Sequence, residues 1–252
     1  MHGAHCIRIP TDRYTANTAT YSVASIMLNA SETSIMLFAA GFGTRMADLT
    51  KDRPKPLLPF KGRALIDYAM DHINGFAPHK TVVNAHYHAD QVMAHFADTP
   101  VIVRNEQPQV LETGGGLKAA CGDLEKPTVV TMNSDTLWSG DNPILHLAQA
   151  WDPDRMDALL LCVPTDLAIG HTGKGDFAID PTGRISRGGP YTYASVQIIK
   201  TSTLAEISET VFSLNVIWDI LIGRGRAFAS LYSAPFYDIG TKDSFYAAAN
   251  EL

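Results

Sequence analysis

Ser34-Ile-Met-Leu-Phe-Ala-Ala-Gly-Phe-Gly-Thr-Arg-Met46 sets the frame for the rest of this chain. The unbroken apolar run from Ile35 to Phe38 predicts a strand buried on both faces, and the glycines behind it end that strand in a tight turn. Gly41 and Gly43 carry no Cβ, so backbone N–H groups there can close around a polyphosphate. Arg45 adds a planar, permanently charged fork for phosphate oxygens. Ten residues on, Lys55 stands in Arg53-Pro-Lys-Pro-Leu-Leu-Pro59, where flanking prolines restrict the backbone and leave the lysine little freedom to lose. Two familiar glycine loops do not fit. The dinucleotide pattern needs a small residue where Met46 stands and an acidic residue about 20 positions on at a strand end, but Asp67 falls inside a helical pattern. A Walker A loop needs Gly-Lys-Ser/Thr, which is absent. A plain strand-to-helix turn explains the glycines but neither Arg45 nor the Pro-Lys-Pro clamp.

Beyond this loop, short apolar runs alternate with helical periodicity. Leu65, Ile66, Ala69, Met70 and Ile73 trace one helical face, and strands are predicted at 81–83, 101–103, 128–132 and 158–163. Helices are predicted around Val92 to Phe96 and from Thr113. Continuous apolar strands between helices predict an α/β fold, a mostly parallel sheet with helices on both faces. Beyond residue 164 the pattern loosens. A β-hairpin over 177–186, an alternating strand over 192–200, a helix over 213–223 and a last helix from Lys242 complete the prediction. With no Pro/Ser linker and no repeat, residues 34–252 read as one domain, with a nucleotide-binding half (34–140) and a sugar-binding half (141–252). Residues 1–33, rich in Ser, Thr, Ala and Asn, read as a poorly structured N-terminal extension, and Arg8, Pro10, Asp12 and Arg13 break any signal-peptide pattern.

The net charge of −6 with no basic run disfavours nucleic acid as a partner, and no apolar stretch approaches the length of a membrane span. Cys6, Cys121 and Cys162 lack CxxC spacing, so neither a disulfide scaffold nor a structural zinc site is expected, and a cytoplasmic location is. His86, His88 and His95 find no completing ligand in the sequence and read as loop or surface residues.

Ala39-Ala-Gly-Phe-Gly-Thr-Arg-Met46 followed by Arg53-Pro-Lys-Pro-Leu-Leu-Pro59 resembles the signature of the sugar-phosphate nucleotidyltransferases, and the resemblance runs from about Ser34 to Leu252. It implies a Rossmann-like fold of the nucleotide-diphospho-sugar transferase type and attack of a sugar-1-phosphate on a nucleoside triphosphate. Pyrophosphate leaves, with Mg²⁺ as cofactor and a monomer or homodimer as the working unit. By that resemblance Ala40, Gly41, Gly43, Thr44, Arg45 and Lys55 bind the triphosphate, and Arg45 and Lys55 stabilise the departing pyrophosphate. Asn133-Ser-Asp135 follows a strand and resembles the family's NGD motif, with Ser134 adding bulk where glycine is usual. Phe236-Tyr-Asp-Ile-Gly-Thr241 resembles its second aspartate motif. Asp135 and Asp238 are therefore the implied catalytic and metal-holding carboxylates, although either alone also reads as a turn or cap residue. Leu111-Glu-Thr-Gly-Gly-Gly116 resembles the base-binding loop of the branch that includes N-acetylmuramate-1-phosphate uridylyltransferases, so UTP is the favoured NTP.

Glu112, Thr113 and Gly114 are placed on the nucleotide by that resemblance, and Gln107 reads either as a reader of the uracil edge or as a solvated loop residue. The sugar-side candidates are Asn84, Asn133, Asp176, Ser195 and Asn215. Asn84 and Asn215 read equally as turn or cap residues, and Asp176 reads equally as the cap of the hairpin. Ala194 stands where glycine is common. Guanylyl transfer to mannose-1-phosphate, uridylyl or thymidylyl transfer to glucose-1-phosphate, and a non-catalytic nucleotide-sugar sensor on the same fold remain alternatives.

Overall fold

The computed structural model describes residues 28–252, and the readings made on 1–27 lie outside them. In the first half, apolar runs become parallel strands with helices folded back over them: β1 (Ser34–Phe38), the short pair β2 (Pro59–Phe60) and β3 (Arg63–Ala64), α1 (Leu65–Phe76), β4 (Thr81–Ala85), α2 (Ala89–His95), β5 (Ile102–Asn105), α3 (Glu112–Leu124) and β6 (Thr128–Asn133). β1 lies between β4 and β6, parallel to both, and β5 extends the sheet beyond β4. Ile35, Met36 and Leu37 are fully buried, as a central strand covered on both sides requires. The register aligns Phe38 with Asn84 on one flank and Asn133 on the other, so three chain exits open at one edge. α/β sheets take their ligands at that C-terminal edge.

The second half continues with β7 (Thr136–Trp138), α4 (Pro143–Ala150), β8 (Ala158–Pro164), β9 (Ala168–Ile169), β10 (Phe177–Ile179), β11 (Ile185–Arg187), β12 (Tyr191–Lys200), α5 (Leu214–Gly223), β13 (Ala227–Leu231), β14 (Phe236–Asp238) and α6 (Lys242–Glu251). The 158–163 run does not extend the parallel set. β12 inserts between β6 and β8, antiparallel to both, so the sheet turns mixed at that point. The parallel strand beside β8 is β13, which the sequence did not single out because Ala227–Leu231 is short and mixed in character. β7, β14 and β9 form a separate three-stranded sheet, also unforeseen, and the site depends on it.

Residues 28–33 depart from the expected loose extension. Asn29 caps a 3₁₀ turn over Ala30–Glu32, and Leu28 N–H donates to Ala148 O. The core divides into two clusters flanking the sheet. One is built on Ile35, Leu37, Ile66 and Val83, the other on Met36, Leu117, Val129 and Trp218; a smaller third cluster around Met46 seats the glycine loop. Among the described residues no helix is long and apolar enough to cross a membrane. The Cys162 thiol is buried, which pushes its pKa up and leaves it an unreactive packing group.

Candidate active site

The glycine loop leaves β1 at Phe38 and turns at Gly43, whose φ of +63° is a left-handed conformation that costs glycine least. A 3₁₀ segment over Thr44–Thr50 follows, anchored by Met46, which is fully buried, and by Thr50, whose hydroxyl donates to Gly43 O. The bulky Met46 that excludes the dinucleotide fingerprint is thus the plug holding this loop on the third core cluster. Pro54, extended at ψ 150°, delivers Lys55 into a second short turn and points it inward: the residue is 6% exposed.

Lys55 Nζ lies 2.6 Å from Asp135 Oδ2. Asp135 follows the end of β6, and Ser134 before it donates its hydroxyl to Phe38 O at 2.6 Å. The serine expected to add bulk near the carboxylate therefore turns back and pins β6 to β1 instead. Asp238 arrives by another route. β14 pairs antiparallel with β7, setting Asp238 opposite Thr136, and Ile239 N–H donates to Asp135 O at 3.0 Å. Two aspartates more than a hundred residues apart are thereby held side by side. Burial and then the neighbouring Asp135 carboxylate raise the Asp238 pKa, with Lys55 and Arg45 opposing. Arg45 closes the group: a Cβ built on Gly240 would stand 3.2 Å from both Arg45 Nη atoms and from Asp238 Oδ1. Arg45, Lys55 and Asp135, with Gly41, Gly43, Thr44 and Gly240, line one cavity of about 290 Å³. Asp238 does not line it and stands behind Asp135, two residues before Gly240.

A second cavity, about 200 Å³, shares Phe38, Gly41 and Asp135 with the first and is lined further by Ala40, Asn84, Val110, Glu112, Thr113 and Asn133. Its rim is set by two segments that the sequence left unconnected. Gly114 and Gly115 N–H both donate to Phe212 O, and Leu214 N–H donates to Thr113 Oγ1. A Cβ at Gly115 would lie 2.2 Å from Thr210 O, so the glycines serve close packing of α3 against 210–214. This corrects the expectation for Gly114, whose N–H faces the protein rather than the cavity. Glu112 stays exposed at the rim with φ +59°, a strained conformation for a side-chain-bearing residue.

The remaining candidates separate. Gln107 lines an adjoining cavity with Glu106 and Gln109, not the one bounded by Glu112. Asn84 is buried with its amide engaged: Oδ1 accepts from Ala39 N–H and Nδ2 donates to Glu106. Asn133 Nδ2 donates to Ser195 Oγ at 3.3 Å. Ser195 itself, not Ala194, takes the left-handed conformation, φ +61°, where β12 bulges. Asp176 accepts from Tyr193 N–H at 2.8 Å, the cap arrangement, and Asn215 is exposed on α5 bonded to Ser213. The three histidines diverge: His86 contacts Glu106 O, His88 contacts Lys51 O, and His95 pairs with Asp67. Among the described residues no group of three or more His, Cys, Asp or Glu could hold a metal ion. Glu106 escaped the sequence reading, since a lone glutamate before Gln-Pro carries no signal of burial.

Two cations and two carboxylates beside a glycine loop, at the C-terminal edge of such a sheet, are the equipment of an α/β nucleotidyltransferase. The family model described as the MobA-like NTP transferase domain matches residues 35–181, and the chain belongs to that family. It is 34% identical to the N-acetylmuramate alpha-1-phosphate uridylyltransferase of Caulobacter vibrioides, over 86% of this chain and 96% of that one. It is 27% identical to the mannose-1-phosphate guanylyltransferase of Mycobacterium tuberculosis, over 86% of this chain and 64% of that one. Among solved structures, the inositol-1-phosphate CTP transferase of T. maritima superposes with a TM-score of 0.72 at 18% identity, covering 88% of this chain and 96% of that one, which shows the shared fold. The protein is a sugar-phosphate nucleotidyltransferase.

Proposed function

We propose that the protein joins N-acetylmuramate-1-phosphate to UTP, giving the UDP-sugar and pyrophosphate, in the cytoplasm and as a monomer or homodimer. One observation carries the chemistry: Arg45, Lys55 and Asp135 line one cavity beside the glycine loop, with the Asp238 carboxylate held next to Asp135. The proposed transfer is an in-line displacement. An oxygen of the sugar-1-phosphate attacks the α-phosphorus, and the bond from that phosphorus to the pyrophosphate leaving group breaks. The attacking oxygen is already anionic, so no general base is needed. Arg45 and Lys55 supply positive charge to the departing pyrophosphate, Lys55 from a buried stem that fixes where its ammonium stands. Backbone amides of Ala40, Gly41 and Gly43 with Thr44 seat the phosphates, and Glu112 and Thr113 border the place left for base and ribose. Gln107, reading the base, and Asn133, Asp176, Ser195 and Asn215, reaching the sugar, complete the proposal.

Asp135 and Asp238 are hard oxygen donors held together with no third carboxylate among the described residues, a set that suits Mg²⁺, which keeps phosphate and water ligands besides one or two carboxylates. When bound there it would neutralise phosphate charge. The choice of UTP and N-acetylmuramate-1-phosphate is supported by the similarity to the Caulobacter vibrioides enzyme across nearly its whole length. A turnover panel of the four ribonucleoside triphosphates against N-acetylmuramate-, mannose- and glucose-1-phosphate tests it. UTP with N-acetylmuramate-1-phosphate is the expected best pair, and GTP with mannose-1-phosphate as the best pair would overturn the specificity.

A further inference from the structure

Glu106 is 4% exposed, and both oxygens of its carboxylate are bonded to amides rather than to a cation. Oε1 accepts from Asn84 Nδ2 at 2.8 Å and Oε2 accepts from Leu111 N–H at 3.0 Å. Asn84 in turn accepts from Ala39 N–H at 2.8 Å. An unbroken relay therefore runs Ala39, Asn84, Glu106, Leu111. Ala39 precedes Ala40 and Gly41, and Leu111 precedes Glu112 and Thr113, and Ala40, Gly41, Glu112 and Thr113 all line the same cavity. Gly116 makes room for the relay, because a Cβ there would stand 2.7 Å from Glu106 Oε1 and 3.0 Å from Asn84 Nδ2. Burying a carboxylate is costly unless strong hydrogen bonds offset the loss of water, and two donors facing one side chain call for two acceptor oxygens.

We propose that Glu106 is a positioning residue that sets the distance between the glycine loop and the 111–113 loop, so that nucleoside triphosphate binds to a preformed cleft. The inference rests on the nucleotidyltransferase class and not on the identity of base or sugar. Glu106→Gln keeps the volume but turns an NH₂ toward one of the two donors, breaking the relay at one bond. Asn84→Asp with Glu106→Gln restores it. The carboxylate introduced at position 84 accepts from Ala39 N–H and from the glutamine NH₂, while the glutamine oxygen accepts from Leu111 N–H.

The test is steady-state kinetics with whichever NTP and sugar-1-phosphate the unaltered protein uses best, alongside thermal unfolding. Failure of the unaltered protein to turn over any pair would count against the functional reading, not against the relay. In Glu106→Gln, KM for the NTP should rise about tenfold, with kcat within about threefold and KM for the sugar phosphate unchanged. The double variant should recover most of that rise. An NTP KM changed less than about twofold in Glu106→Gln, whatever happens to the melting temperature, overturns the proposal. So does a double variant no better than the single one. Should Glu106→Gln fail to fold, the double variant decides alone: a KM near that of the unaltered protein supports the relay, and a tenfold rise or a second failure to fold overturns it.

Discussion

At the scale of single residues, charge and strain make opposite predictions. Asp135 is held 2.6 Å from Lys55 at the cavity wall, on a backbone pinned by Ser134 rather than by its own carboxylate. Asp135→Ala should therefore lower kcat by more than about a hundredfold while the melting temperature moves only a few degrees, measured by turnover and by calorimetry. Unchanged turnover would remove Asp135 from the site. Glu112 works the other way. Its φ of +59° is one glycine adopts freely, and its carboxylate sits exposed at the cavity rim. Glu112→Gly should raise stability by about 1 kcal/mol, read from the urea midpoint, while NTP affinity falls. A glycine that lowers stability would show that the conformation is not strained.

Elements matter where two of them must touch. The contact of α3 with residues 210–214 leaves no room at Gly115, 2.2 Å from Thr210 O, whereas a Cβ on Gly41 would meet nothing within 4 Å. Gly115→Ala should cost about 2–4 kcal/mol in denaturant unfolding. Gly41→Ala should leave unfolding unchanged and raise KM for the NTP, because its added methyl points into the space the triphosphate would need. Equal effects of the two substitutions would contradict this division of labour. The β7–β14 pair shows the same principle from the other side. Three residues on each strand suffice, through one ladder, to bring Asp238 to Asp135. Little of this was legible beforehand, since three-residue strands have no periodicity to detect, although the Phe236 to Thr241 motif did mark Asp238.

Across the whole molecule, the mixed half of the sheet is closed by an ionic lock far from the site. Asp157, ahead of β8, is bonded to Lys200 at the end of β12 and to Arg226 ahead of β13, which together keep three strand ends in register. Hydrogen bonding from Arg226, then from Lys200, holds the Asp157 carboxyl below its ordinary pKa. A lowered folded-state value means the lock contributes fully above the ordinary carboxylate range. It is lost as pH falls through the lowered value, below about pH 4. Asp157→Asn should thus destabilise the protein by about 1–2 kcal/mol at pH 7 and by much less at pH 3, measured by urea unfolding at both pH values. A penalty that does not change with pH would rule out the ionic origin.

The central strand, the alternation of strands and helices in the first half, and the grouping of Gly41, Gly43, Arg45 and Lys55 at one cavity are legible in the chain alone. Each of these is written in local chemistry: an apolar run, missing side chains at a turn, prolines around a cation. The readings of Asp135 and Asp238 were local too, and each had a turn-residue alternative. That the two carboxylates meet is a property of the folded molecule. Their proximity rests on strand pairing across more than a hundred residues, and pairing between distant segments leaves no periodic trace in either one. The same reason hid Glu106, an ordinary glutamate in sequence whose burial exists only once Asn84 and Leu111 are brought against it. It also explains why the close packing of the glycines at 114–116 against Phe212, Thr210 and Glu106 could not be read beforehand. What fills the space beside a glycine belongs to the fold, not to its neighbours in the chain.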